Sequence, residues 1–249
     1  MSYRPRLNKF VYEFINYHKR SNVVGIISDT HYPYSKKGHL NWVYEVFNQF
    51  QANRIIHIGD LVDGSAWSFW EKDSDMVSGG KEAELAQKDI DKLFKVFPEG
   101  DLMMGNHDQL INRRMLKHSI PKKFYKTFAE SWNFPKGWKT HDYLEIDKVL
   151  YLHGTGKSGA NAAVNFMQDY RQSVVIGHTH SSGGVNYRAS YKELCFALNV
   201  GCLISVNDLA FQYGRNFSKK PTLGCGIVID GKVGFFIPMD LGSKISYSK

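Results

Sequence analysis

The sequence predicts an α/β fold built on a mostly parallel β-sheet. Short runs of apolar, β-branched residues alternate with longer segments whose apolar positions recur every three to four residues, and this alternation is typical of βαβ units. Each apolar run also ends in a short polar loop. Of the 249 residues, 43% are hydrophobic and 22% are charged, so the chain is long and apolar enough to bury a full core.

The first half of the chain carries this alternation most clearly. Residues 23–28 and 54–58 are short and β-branched, which predicts buried strands. Residues 39–51 place Leu40, Val43 and Phe47 on one helical face. The predicted elements are, in order, helix 9–20, strand 23–28, helix 39–51, strand 54–58, helix 81–97 and strand 101–104.

The second half returns to strands after a basic, aromatic stretch over residues 109–140. Two strands that flank Asp147-Lys148 are expected to form a hairpin, and Asp230-Gly231-Lys232 is the signal for another tight turn. The predicted elements are helix 109–117, a helix near 121–133, strands 143–146 and 149–152, helix 158–171 and strands 173–176, 223–229 and 233–237.

The charge and the cysteines limit partners and compartment. A formal net charge of +8 and a pI near 9.2 favour anionic partners such as nucleic acid or nucleotides, although a merely solubilising surface charge is the alternative. Three cysteines without CxxC spacing favour neither a disulfide framework nor a zinc ribbon, and suit a reducing cytoplasm. No stretch approaches the roughly 18 apolar residues of a membrane span, so we expect a cytoplasmic protein without membrane association.

Five short polar motifs carry the candidate chemistry. They are Asp29-Thr30-His31, Gly59-Asp60-Leu61-Val62-Asp63, Gly105-Asn106-His107-Asp108, His153-Gly154 and Gly177-His178-Thr179-His180. Four are expected to follow strands of one sheet and the fifth, His153-Gly154, follows a hairpin strand. Ligands bind beyond the carboxyl ends of such strands. Carboxylate, imidazole and amide donors together suit Mn, Fe or Zn better than a metal that prefers thiolates.

Any one of these motifs alone is weak, since an isolated Asp-x-His at a strand end is usually a turn beside a surface histidine. All five in this order resemble the calcineurin-like metallophosphoesterase superfamily, over about Val23 to His180. The resemblance implies an α+β sandwich of two mixed β-sheets flanked by helices. It also implies one domain over residues 1–249, with a helical extension at 1–22 and strands within 184–249 that complete the sandwich.

The resemblance further implies a centre of two divalent metal ions, with Mn²⁺ favoured and Fe, Zn or Ni as alternatives. The first ion would be held by Asp29, His31, Asp60 and His180, and the second by Asp60, Asn106, His153 and His178. Asp60 would therefore bridge the two ions. His107 resembles the non-ligand histidine that protonates the leaving oxygen or stabilises the transition state, and the carboxylate of Asp63 would orient it and support its imidazolium. For Asp108 we expect a supporting contact.

The substrate class is less constrained by the motifs. The protein phosphatases of the family have Arg-Gly after the second motif, where this chain has Gly64-Ser65, and the third motif ends in Asp108 rather than Glu. Both differences favour a phosphodiesterase or nuclease acting on nucleic acid or nucleotides. The alternatives are a phosphomonoesterase acting on proteins or small molecules, and a non-catalytic metal-binding scaffold. The sequence leaves the oligomeric state open.

Basic and aromatic residues near the motifs could contact the substrate. Arg113, Arg114 and Lys117 follow the third motif and could line a channel for a phosphate backbone, or could form a solvated helix face. Trp67, Phe69 and Trp70 follow the second motif and could stack on a base, although packing on the core is the favoured interpretation. His57 lies within a predicted strand and is expected to be a core histidine.

Overall fold

The computed structural model describes residues 22–69, 74–205 and 220–239. Its strands form two mixed sheets, so the predicted fold class is confirmed. The first sheet contains β1 (Val23–Ile27), β2 (Arg54–His57), β3 (Gly100–Met103), β4 (Trp138–His141), β10 (Gly224–Ile229) and β11 (Val233–Pro238). The second contains β5 (Tyr143–Ile146), β6 (Val149–Leu152), β7 (Ser173–Ile176), β8 (Gly184–Ala189) and β9 (Leu194–Asn199).

The first sheet has the order β11-β10-β1-β2-β3-β4, in which β1 to β4 run parallel and β10 pairs antiparallel with β1. The second has the order β5-β6-β7-β9-β8, with β6, β7 and β9 parallel. The carboxyl ends of β1, β2, β3, β6 and β7 are therefore the places from which the five polar motifs leave the sheets.

Within the described residues, five α-helices connect these strands. They are α1 (His39–Gln49), α2 (Gly79–Val96), α3 (Leu110–Lys117), α4 (Phe128–Ser131) and α5 (Ala162–Tyr170). Ser78 caps the start of α2 by accepting the backbone N–H of Lys81. On α2, Ala86, Ile90 and Leu93 recur at helical spacing and are fully buried, which fixes the face that packs inward.

The core forms three layers of contact. Helices α1 and α2 cover the outer face of the first sheet, where Phe47 and Leu93 pack with Ile27. Residues from both sheets, such as Ile26 and Val175, fill the space between the sheets. Helix α5 covers the second sheet. The architecture is thus helix, sheet, sheet, helix, and the motifs lie where the two sheets meet at one edge.

One expectation about the strands was wrong, and some strands were missed. The motif-bearing strands do not share one sheet, because β7 lies in the second sheet beside β6. Strand β4 was not predicted, and β8 and β9 lie within residues 184–249, where strands were expected but their bounds were not given. Strand β4 pairs with β3 at the edge of the first sheet, and the exposed Lys139 and Thr140 interrupt its apolar pattern. Strand β8 is an edge strand with four exposed residues out of six, so no buried run marks it.

The helix expected near residues 121–133 is two short pieces, a 3₁₀ turn at Lys122–Phe124 and α4. Helix α4 begins with its own capping box between Thr127 and Glu130, and this separate start divides α4 from the preceding 3₁₀ turn. The helix expected at 9–20 lies outside the described residues, so the expectation of one domain over the whole chain stays a prediction. No helix among the described residues is long and apolar enough to cross a membrane.

Candidate metal centre

The five motif loops converge at one edge of the sandwich. Within the first sheet, the backbone N–H of Asp29 donates to the carbonyl of Gly59 at 3.1 Å. Between the sheets, the backbone N–H of His178 donates to Oδ2 of Asp29 at 2.9 Å. Gly177 in turn donates to the carbonyl of His153 at 3.1 Å. Loops that are far apart in sequence are therefore joined by direct hydrogen bonds.

Three clusters of possible metal donors result: two share Asp60, and the third consists of His31, Asp63 and His107. In each cluster the donor atoms of the histidines and carboxylates lie within 4.8 Å of one another. The first donor cluster is Asp29, His31, Asp60 and His180, and the second donor cluster is Asp60, His153 and His178. Oδ1 of Asn106 lies 3.1 Å from Nε2 of His153 and so adjoins the second cluster. The structure thus brings all seven predicted metal ligands together.

The second donor cluster has the chemistry of a cation site. Nδ1 of His153 donates to the carbonyl of Ile58 at 2.8 Å, so Nε2 offers a lone pair once a metal ion displaces the proton from it. That lone pair lies 3.1 Å from Oδ2 of Asp60 and 3.1 Å from Oδ1 of Asn106, which are also electron-pair donors. Donors that face one another repel unless a proton or a metal ion lies between them, so these residues fit a divalent cation.

The first donor cluster repeats this arrangement. Nδ1 of His31 donates to Oδ1 of Asp63 at 2.9 Å, which leaves the lone pair of Nε2 facing the shared centre. Nε2 of His31 lies 3.2 Å from Nε2 of His180 and 3.6 Å from Oδ2 of Asp60. Nε2 of His180 lies 3.0 Å from Oδ1 of Asp29. These four residues therefore also fit a divalent cation.

The electrostatics of the buried carboxylates favour positive charge between them. Burial raises the pKa of Asp29, but hydrogen bonds with His180 and His31 outweigh burial and hold the pKa well below its usual value. Burial lowers the pKa of His153, but the charge of Asp60, the hydrogen bond with Asp60 and the charge of Asp29 together outweigh burial and raise the pKa to about 9. Because buried charges must be paired or coordinate a metal, the same negative potential that holds protons here would attract cations.

The backbone of the motif loops adopts sparsely populated conformations. Four of the candidate ligands have positive φ angles, namely Asp29 (49°), His31 (46°), Asp60 (50°) and His178 (66°). Non-glycine residues seldom occupy this region, and such outliers cluster at functional sites because the surrounding structure must hold them there. The hydrogen bonds between the loops supply that constraint.

Two glycines permit the close approach of the loops. A Cβ at Gly105 would overlap the carboxylate of Asp60, and a Cβ at Gly177 would overlap Ser28 and the carboxylate of Asp29. A side chain at either position would push a candidate ligand out of place. The glycine that precedes Asn106 and the one that precedes His178 are therefore required by the packing of the centre itself.

His107 and Asp63 lie beside the first donor cluster, and one expectation about them needs correction. Nδ1 of His107 donates to the backbone carbonyl of Asp63 at 2.6 Å, so the carboxylate of Asp63 does not orient His107. That carboxylate binds His31 instead, and Ser65 donates to its other oxygen. Position 63 therefore serves two histidines at once, one through its side chain and one through its backbone.

Removal of the Asp63 carboxylate should weaken metal binding. Asp63→Ala is expected to lower Mn²⁺ affinity by about 10- to 100-fold, because His31 would lose the acceptor that fixes its tautomer and ring orientation. Asp63→Asn keeps an acceptor oxygen at the same place and should lose less. Calorimetric titration with Mn²⁺ measures both, and an unchanged affinity in Asp63→Ala would contradict the assigned role.

Asp108 and Glu82 hold the motif loops in place by accepting their backbone N–H groups. Asp108 is buried and accepts the backbone N–H groups of Leu61 and Gly105 at 2.9 Å each, so it ties the second motif to the third. Glu82 of α2 is fully buried and accepts the N–H of Ala66 at 2.9 Å, which holds the loop that follows Asp63. The sequence marked Asp108 by its motif, whereas nothing distinguished Glu82 from the other acidic residues of its helix.

Glu82 should make the stability of the fold depend on pH. Burial and the nearby charge of Asp63 raise its pKa from 4.5 to about 7. Between these values the unfolded chain releases a proton that the folded chain keeps, so stability falls as pH rises through this window. Glu82→Gln removes the effect, and its free energy of unfolding relative to the unsubstituted protein should increase between pH 5 and pH 8.

Glu84 on the same helix is the matched control. It is exposed and paired with Lys81 and Lys88, and these lysines lower its pKa to about 2. Both folded and unfolded chains are then ionised at Glu84 above pH 5, so Glu84→Gln should show a constant difference from pH 5 to pH 8. A Glu82→Gln difference that is equally flat would refute the assignment.

The remaining predicted residues fall outside the two donor clusters. His57 is fully buried, with Nε2 3.0 Å from the hydroxyl of Thr30, so its assignment to the core is confirmed. Trp67 packs against the core between the first sheet and helices α1 and α2. Phe69 is 41% exposed, and Trp70 lies outside the described residues. Arg113 and Lys117 are exposed, whereas Arg114 is half-buried and donates to the carbonyls of Trp67 and Ser68.

The sequence also matches a family model. The model of the calcineurin-like phosphoesterase superfamily domain aligns with residues 23–210, which include all five motifs. The chain belongs to this superfamily. Among solved structures, the chain is similar to the metallophosphoesterase from Sphaerobacter thermophilus, with a TM-score of 0.46 at 14% identity over 89% of each chain.

Two phage proteins are similar to this chain along most of their length. The Gene 54 protein of Mycobacterium phage D29 is 24% identical, over 85% of this chain and 90% of its own length. The Gene 54 protein of Mycobacterium phage L5 is 26% identical, over 78% of this chain and 84% of its own length.

Proposed function

We propose that this protein is a hydrolase that uses two divalent metal ions, Mn²⁺ by preference, to cleave phosphodiester bonds in nucleic acid or nucleotides. The observation that carries the proposal is the pair of donor clusters that share Asp60. Two-metal hydrolases of phosphoesters need two cations roughly 3.5–4 Å apart on one bridging ligand, and a shared carboxylate supplies such a bridge.

The bound cations would neutralise the phosphate oxygens and lower the pKa of the attacking water. The protein supplies the geometry of this centre. Asp29 and Asp60 provide the buried negative charge, and Asp63 and the carbonyl of Ile58 orient His31 and His153. The hydrogen bonds between loops hold these donors in place before the substrate arrives, which reduces the cost of ordering them during the reaction.

His107 is the proposed partner of the leaving oxygen. Its Nδ1–H is committed to the carbonyl of Asp63, so Nε2 is the atom that can hold a proton for the substrate. Burial lowers the pKa of His107, so the ring would be largely neutral until a phosphate binds. A neighbouring phosphate would stabilise the protonated ring, which could then donate to the leaving oxygen.

The residues around the second motif support a diester rather than a protein phosphomonoester. Gly64 and Ser65 occupy the positions that follow Asp63, and Ser65 is used to hold the Asp63 carboxylate. The backbone N–H of the adjacent Ala66 donates to Glu82. Residues 64–66 are Gly-Ser-Ala, so this loop presents no arginine that could bind a terminal phosphate. The third motif ends in Asp108 rather than Glu, which also favours a phosphodiesterase or nuclease.

A panel of substrates at fixed Mn²⁺ tests the proposal. The panel contains bis(p-nitrophenyl) phosphate, p-nitrophenyl phosphate, cyclic nucleotides, and single- and double-stranded DNA. We expect higher kcat/KM for the diester than for the monoester. Faster turnover of the monoester would make the protein a phosphomonoesterase, and no turnover of any member with metal bound would make it a scaffold.

We also propose a cytoplasmic location. All three cysteines, Cys195, Cys202 and Cys225, are free thiols, which suits a reducing compartment.

A further inference from the structure

The stretch of chain that follows the third motif has an unusual charge. Residues 109–129, here called the basic segment, contain no aspartate or glutamate. Their six cations are Arg113, Arg114, Lys117, Lys122, Lys123 and Lys126. Within the part of the chain that the structure describes, none of these six forms an ion pair with a carboxylate. The lysines of α2 behave differently, since Lys88 pairs with Glu84 and Lys92 with Asp89.

Three of these cations surround one exposed aromatic ring. The guanidinium carbon of Arg114 lies 4.5 Å from the centroid of Phe69, that of Arg113 lies at 5.6 Å, and Nζ of Lys117 lies at 5.4 Å. Arg114 also holds the loop of Phe69 through the carbonyls of Trp67 and Ser68. Like charges at this density repel one another, and an anion bound among them would relieve the repulsion.

A second ring beside a cation lies further along the basic segment. Phe124 is 67% exposed, and Nζ of Lys123 lies 4.9 Å from its centroid. Exposed rings beside Lys or Arg are the surface on which unpaired bases stack while the cations hold the phosphates. Double-stranded nucleic acid hides the faces of its bases, so rings of this kind favour a single strand.

The basic segment is attached directly to the candidate metal centre. The backbone N–H of Leu110, the first residue of α3, donates to the carbonyl of His107 at 3.0 Å. Arg113 is the sixth residue after His107 and lies in the first turn of α3. Arg113 and Lys117 are four residues apart and therefore share one face of α3. A strand with one phosphate at the centre would place neighbouring phosphates beside this face.

We propose that the basic segment, together with Phe69, binds a single nucleic-acid strand that leads into the metal centre. The cations of α3 would contact phosphates next to the cleaved bond, and Phe69 and Phe124 would stack on bases. This inference rests on the proposed phosphodiesterase function and specifies its substrate as a single-stranded polymer. The exposed Ile111 and Leu116 of the same segment make an acidic protein the competing partner.

Binding of a labelled oligonucleotide tests the inference without requiring turnover. The full chain with Mn²⁺ is titrated into a fluorescent 12-nucleotide thymidine phosphorothioate, and anisotropy is read at several salt concentrations. Arg113→Gln/Lys117→Gln should reduce the slope of log K against log salt by about 1.4, because each phosphate contact on a single strand contributes about 0.7. Phe69→Leu should weaken binding by about 5- to 100-fold through the loss of stacking.

Lys88→Gln/Lys92→Gln is the control, since it removes the same charge from the paired lysines of α2 and should leave binding unchanged. If both double variants lost the same oligonucleotide affinity, net charge alone would explain the loss, and the proposal would be overturned. Tighter binding of a duplex, or of polyglutamate in place of the oligonucleotide, would also overturn it. Turnover of bis(p-nitrophenyl) phosphate by the unsubstituted protein reports on the proposed function separately, because that substrate is too small to span the segment.

Discussion

Asp60→Asn is expected to lower kcat/KM for a phosphodiester by about 10³-fold and to reduce the bound metal from two ions to one or none. The carboxylate of Asp60 belongs to both donor clusters, and asparagine keeps its shape but loses its charge. A catalytic cation stabilises the transition state by several kcal/mol, and about 4 kcal/mol corresponds to the expected factor. The amide oxygen can still accept the backbone N–H of His107, so the third motif should stay in place.

Steady-state kinetics and elemental analysis of the purified variant measure the two effects together. Asp91→Asn is the control, because Asp91 is exposed on α2 and its replacement makes the same chemical change far from the centre. The control should keep both activity and metal. An Asp60→Asn variant with two bound ions and undiminished turnover would contradict a bridging role.

His107→Ala should lower kcat/KM by about 10²- to 10⁴-fold for substrates with a poor leaving group while metal content stays unchanged. The alkoxide that leaves a nucleotide is a strong base and needs a proton, whereas p-nitrophenolate needs little assistance. The loss should therefore be smaller for bis(p-nitrophenyl) phosphate than for a dinucleotide. A larger loss for the dinucleotide identifies His107 as a proton donor, whereas a residue that acts by packing alone would give equal losses for both substrates.

His118→Ala provides the comparison for this variant, since His118 is exposed at the end of α3 and adjoins neither donor cluster. Its turnover of both substrates should match that of the unsubstituted protein. Equal losses for aryl and nucleotide esters in His107→Ala would remove proton donation from the account. Full turnover in His107→Ala would remove His107 from the mechanism.

The convergence of the candidate ligands could be predicted because each polar motif directly follows an apolar strand. Asp29, Asp60 and Asn106 come after three consecutive strands, and parallel strands end at the same edge of a sheet. The glycines within the motifs could be interpreted in the same way, and the structure gives the physical reason at Gly105 and Gly177, where a Cβ would displace a carboxylate.

The parts that could not be predicted depend on contacts distant in sequence. Strand β7 pairs with β6 in the second sheet, and no local pattern distinguishes this from a fifth strand of the first sheet. The carboxylate of Asp63 was expected to bind His107, but it binds His31, and His107 binds the backbone carbonyl of Asp63 instead. The sequence does not show which of the two groups of one residue each histidine contacts. Glu82 looks like any acidic helix residue until the loop that contains Ala66 covers it.

The central claim is that two cations share the carboxylate of Asp60, and anomalous diffraction from crystals grown with excess Mn²⁺ tests it most directly. The account predicts two manganese peaks about 3.5–4 Å apart, both within bonding distance of Asp60, with His180 beside one and His153 beside the other. A single peak, or peaks that Asp60 does not join, would contradict it.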